Sequence, residues 1–142
     1  MKQAFLILTT LFVAGLALTN NVLATTAAPE AAQAYIISPQ NGETVTSPVT
    51  VRFGLSGMGV APAGVDKANT GHHHLLIDLD TAPAMDSAIA ADEQHRHFGG
   101  GQTETQLTLS PGQHTLQLLL GDKNHIPHDA PVLSEKITVT VE

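Results

Sequence analysis

The chain is 142 residues long, with six Lys and Arg against thirteen Asp and Glu, a formal charge of -7, and no cysteine. An acidic balance of this size disfavours nucleic acid and anionic membrane surfaces, both of which are met by basic patches. Without thiols there is no disulfide, no blue-copper centre, no cysteine-based zinc site and no lipoprotein anchor.

Residues 1–24 read as a secretory signal peptide, with Lys2, an apolar run from Ala4 to Leu18, and small residues Val22 and Ala24 at a cleavage site. Its removal leaves about 118 residues, enough for one domain. The expected product is periplasmic or secreted, with no membrane insertion after cleavage. Residues 25–34, rich in Ala and Thr and without periodicity, are expected to form a flexible spacer, and residues 35–142 the folded domain.

A short strand is expected at residues 35–37, followed by the turn sequence SPQNG. Over residues 49–55 Val49, Val51, Phe53 and Leu55 alternate with Thr50, Arg52 and Gly54, the pattern of a half-buried strand. Residues 57–71, with four glycines and Pro62, read as a long loop. It leads into TGHHHLLIDLD, where His73, Leu75, Ile77 and Leu79 read as the buried face of a strand and His72, His74, Leu76 and Asp78 as its polar face. Residues 81–91 leave a helical turn from Asp86 and an irregular crossover equally open. Further on, residues 104–109 and 113–120 flank Ser110-Pro111-Gly112 and read as a hairpin, with His114, Leu116, Leu118 and Leu120 on one face. A last strand, residues 135–141, turns Ile137, Val139 and Val141 inward. Six or seven short strands with turns between them predict an all-β fold, an antiparallel immunoglobulin-like β-sandwich.

Six of the eight histidines fall in three close pairs: His72 with His74, His95 with His97, and His125 with His128. Two imidazoles at i and i+2 on a strand point the same way and can chelate one ion, with further ligands supplied from elsewhere. These six are the candidate metal ligands, for copper or zinc, and Asp78, Asp92, Asp122 and Asp129 lie near them in sequence. His73 and His114, on core faces, read as structural, hydrogen-bonded imidazoles. Binding through imidazole is expected to weaken below about pH 6. A metal-free reading competes, in which the histidines form a hydrogen-bond network that locks the loops. Sequences for a nucleophile elbow, a phosphate loop or a zinc-protease helix are absent.

The segments SPQNGETVTSPVTVRFGLSGMGVAPAG, NTGHHHLLID, HFGGGQTET and HTLQLLLGDKNHIPHDAPVLSEKITVTV resemble a bacterial exported family classed as a domain of unknown function. The resemblance covers the chain from about Ile37 onward and implies a small exported β domain without supplying an activity. More loosely, His72 and His74 resemble the His-x-His pair that copper-zinc superoxide dismutases carry on a strand, though this chain lacks the dismutases' cysteines, and in size and composition the chain is similar to small exported copper-binding sandwiches that use histidine without catalysis. Three functions follow as expectations: metal binding without catalysis, a superoxide-dismutase-like oxidoreductase, or a structural or interaction module of the cell envelope whose protein partner is unidentified.

Overall fold

A computed structural model describes residues 25–142, so the signal peptide expected over residues 1–24 lies outside the described residues. Among the described residues alternating apolar residues become nine strands, and there is no helix. In chain order they are β1 (Gln33–Ser38), β2 (Thr44–Val45), β3 (Val49–Ser56), β4 (Gly59–Val60), β5 (Thr70–Ile77), β6 (His95–His97), β7 (Glu104–Leu107), β8 (Gly112–Gly121) and β9 (Ile137–Val141). One sheet runs β1-β3-β7 and the other β2-β9-β8-β5-β4, with β6 paired to β5 beside β4. The main strands pair antiparallel, whereas the two-residue strands β2 and β4 pair parallel with β9 and β5.

Between the sheets lies the core. Val49, Val51 and Phe53 of β3 and Leu107 of β7 meet Leu75 and Ile77 of β5, Leu116, Leu118 and Leu120 of β8, and Val139 and Val141 of β9. Each fully buried aliphatic side chain contributes on the order of 1.5–3 kcal/mol by leaving water. The β-sandwich expected from the alternation is therefore present, with two more strands than the seven anticipated because β2 and β4 are too short to leave a periodic signal.

Three local expectations are corrected. Residues 104–109 and 113–120 do not form a hairpin: β7 pairs with β3, and β8 pairs with β5 and β9. Both edges of β8 are thereby occupied, whereas β3 has an edge free for β7, and the exposed Arg52–Glu104 ion pair closes that register. The expected spacer is hydrogen-bonded to the domain. Ala28 donates its N–H to the Asp129 carbonyl at 2.7 Å, and β1 already begins at Gln33. Finally, the even face of β5 is not a solvated polar face. His72, His74 and Leu76 are as buried as their odd neighbours, because the segment after β5 and the loop after β8 fold across them. Leu76, Ile89 and Leu119, with Leu79, Met85 and Leu133 around them, make a second, smaller core on this outer side of the sheet. Residues 81–91 form an irregular crossover whose role is to supply that cover. Asp78, at φ 53°, ends the alternation of β5, which is why Leu79 joins the outer cluster and not the main core.

Candidate metal centre

Strand parity places the first two ligand candidates. His72 and His74, two residues apart on β5, share the outer face of the six-stranded sheet, and their rings lie 4.8 Å apart. Antiparallel pairing then sets His97 of β6 directly opposite His74, with ring centroids 5.0 Å apart. On the other side, His72 is opposite Gly121, the last residue of β8. Four residues on, the turn brings His125 back over the sheet, where its Nδ1 lies 3.1 Å from Nε2 of His72.

His72, His74, His97 and His125 therefore converge, with one ligand nitrogen from each lying within 4.8 Å of all the others. A tetrahedral ion with metal–nitrogen bonds of 2.0–2.1 Å separates its ligand nitrogens by about 3.3–3.4 Å. The His72–His125 separation is already near that figure, and closing the remainder asks for side-chain rotation of an ångström or so. Four histidines are positioned to hold a metal ion.

Glycines make the room. A Cβ on Gly121 would stand 2.8 Å from Cε1 of His74, and one on Gly99 would overlap the His97 ring. The cluster is graded from inside to outside: His72 and His74 are buried, His125 is half-buried and His97 is exposed. Burial, reinforced by the neighbouring imidazoles, pushes His72 down from 6.5 to about 4 and His74 to about 3. His97 is lowered as well, by desolvation and by His125. Asp122 acts the other way on His72, its charge favouring a cation nearby. Neutral imidazole is the form that ligates, and the fold enforces it. Nδ1 of His72 and Nδ1 of His74 are both buried without a hydrogen-bond partner. Buried polar atoms are ordinarily satisfied, so two such orphans at one spot are a feature to be explained.

Of the three sequence pairs, only His72 and His74 stay together. His95 bonds through Nδ1 to the Asp92 carboxylate at 2.8 Å, away from the cluster. His128 is buried beneath Gly71 with Nε2 3.3 Å from the Thr70 carbonyl, and it too stays outside the cluster. His114, held by Asp78 at 2.7 Å and by the Ser110 carbonyl at 2.9 Å, is the hydrogen-bonded structural imidazole expected, its proton affinity raised chiefly by Asp78. His73 is the exception to that expectation. It packs in the main core 5.3 Å from the Phe53 ring, and neither of its ring nitrogens has a partner. Of the four acidic candidates, Asp78 and Asp92 are engaged by His114 and His95, and Asp122 organises the turn that carries His125. Asp129 pairs its backbone with Thr26 and Ala28. None of the four belongs to the ligand group.

A family model described as "Domain of unknown function (DUF4399)" matches residues 51–142, a span that includes all four clustered histidines. No curated protein and no solved structure matches the chain.

Proposed function

Because the chain belongs to the DUF4399 family, whose description assigns no activity, we propose from the site alone that it is an exported, non-enzymatic metal-binding domain. The ligands are His72, His74, His97 and His125, and the ion is copper(II) or zinc. Convergence of four imidazoles from two strands and a turn is the observation that carries this reading. All-nitrogen donors suit both ions, and in open competition copper(II) binds the tighter. The unpartnered ring nitrogens of His72 and His74 weigh against a metal-free network, since such a network stabilises only when its members are satisfied. They also leave Nδ1 of each ring able to face an ion without breaking an existing bond.

Elemental analysis of tag-free protein, beside a His72→Ala, His74→Ala variant, tests the proposal. One equivalent of copper or zinc is expected in the parent protein and none in the variant. A parent protein that neither carries metal nor takes it up on titration rules the reading out. Superoxide turnover that depends on the bound metal and disappears in the variant would move the assignment from carrier to oxidoreductase.

A further inference from the structure

His125 differs from the other three ligand candidates in standing on no strand. It occupies the turn after β8 at φ 66°, a left-handed conformation that a residue with a Cβ adopts only when its surroundings hold it there. What holds it is Asp122, which is 2% exposed. Oδ1 of Asp122 accepts the N–H of Asn124 at 2.8 Å and of Ile126 at 3.0 Å. Its carbonyl accepts the N–H of His125 at 2.9 Å, and its own N–H donates to the Ile126 carbonyl at 2.8 Å. The remaining carboxylate oxygen, Oδ2, accepts the hydroxyl of Thr26 at 2.8 Å, from 96 residues earlier in the chain. Thr26 is itself fastened, its carbonyl accepting the N–H of Asp129 at 3.0 Å.

We propose that Thr26 is a positioning residue for the metal site: its hydroxyl fixes the second oxygen of Asp122 and so locks the turn that presents His125 to His72. The inference rests on the reading of the histidine cluster as a ligand set. A buried carboxylate needs donors on both oxygens, and the strap formed by residues 26–28 supplies the one that the turn cannot supply for itself. Without that hydroxyl the carboxylate rotates toward water, its bonds to Asn124 and Ile126 loosen, and His125 is released while the strand-borne His72, His74 and His97 stay in place. Thr26 precedes the matched span 51–142, so the segment that completes the site lies outside the region that carries the ligands.

Thr26→Val and Thr26→Ser are compared in the parent chain and in a His125→Ala background. Copper(II) affinity is followed by titration, and the ligand set by electron paramagnetic resonance. Thr26→Val is expected to weaken copper binding about 10-fold, the effect typical of removing an outer hydrogen-bond partner, and to shift the spectrum toward that of His125→Ala. Thr26→Ser should restore both, and Thr26→Val should change nothing further once His125 is gone. Equal weakening in both backgrounds would reduce Thr26 to general fold stability and overturn the proposal, as would unchanged affinity in the parent. Nuclear magnetic resonance of the metal-free protein separates this inference from the proposed function. Thr26→Val should move the amide signals of Asn124 and Ile126 and the His125 ring signals while leaving His114, at the other end of β8, unaffected, whether or not copper binds. An unmoved turn ends the proposal, and a moved turn in a protein that binds no copper leaves it standing and removes only the metal assignment.

Discussion

An imidazole sealed from water favours its neutral form, and three adjacent residues of β5 share that condition. His72 and His73 are pushed down to about 4 and His74 to about 3, with desolvation the largest cause in each case. Their folded values lie below the unfolded value near 6.5, so between those limits the unfolded chain binds more protons than the folded one. The stability they permit is complete above about pH 6.5 and is lost as pH falls through about 4. Urea midpoints of metal-free protein are therefore expected to drop steadily from pH 6.5 to pH 4, whereas the raised His114 acts above that window, where its contribution grows as pH falls toward 6.5. Replacing His73 by Leu removes two unpartnered nitrogens from an apolar site, and should add about 1–3 kcal/mol at pH 7 and flatten the acid slope. An ion bound by this cluster is expected to be held to lower pH than the limit near 6 suggested by ordinary imidazole, since protons do not compete for the inner pair until well below it. Which residues were legible follows from the same burial. The spacing of His72 and His74 on a strand showed that they share a face, because strand parity is a local property. The parting of His95 from His97, and of His128 from His125, depends on Asp92 and on the turn at Asp122, contacts that no spacing encodes.

At the level of elements, β5 does two jobs by alternation: odd residues fill the core between the sheets, and even residues build the site on the outer face. Two glycines distinguish these jobs experimentally. Gly121→Ala places a methyl group 2.8 Å from the buried His74 ring, which has nowhere to go, so both thermal stability and metal content should fall. Gly99→Ala meets the exposed His97 ring, which can swing into solvent, so metal affinity should fall with the melting temperature nearly unchanged. Equal thermal losses in the two variants would contradict the graded burial of the cluster. Strands with long alternation, β3, β5, β8 and β9, were readable because each sends one continuous apolar stripe into the main core. The partner of β7 was not: a tight turn such as Ser110-Pro111-Gly112 is compatible with a hairpin or with a step across to the other sheet, and the choice is made by which strand edges are already filled.

For the molecule as a whole, a ligand that binds only the folded state raises its stability by mass action, about 2.7 kcal/mol at a hundred times the dissociation constant. Saturating copper or zinc should raise the thermal midpoint, and a chelator should return it to the metal-free value; a midpoint indifferent to both would contradict a folded-state site. Main-core and outer-cluster residues together account for the folded architecture, and the all-β class followed from alternation alone. The cover over the outer sheet face did not, since residues 81–91 show no periodicity and take their shape from the Leu76 and Leu119 surface beneath them. Cover and support also differ in how firmly they are held. His72 and His74 lie on an internal strand bonded along both edges, whereas His97 belongs to a three-residue strand with one neighbour and His125 to a turn. Short edge strands and turns open far more often than central strands do, in excursions that leave the rest of the fold intact. An ion bound here would keep two ligands while shedding the other two in succession. Its residence time would then be set by the fraying of one edge and not by the lifetime of the native state, so the domain could surrender its cargo to an acceptor without unfolding.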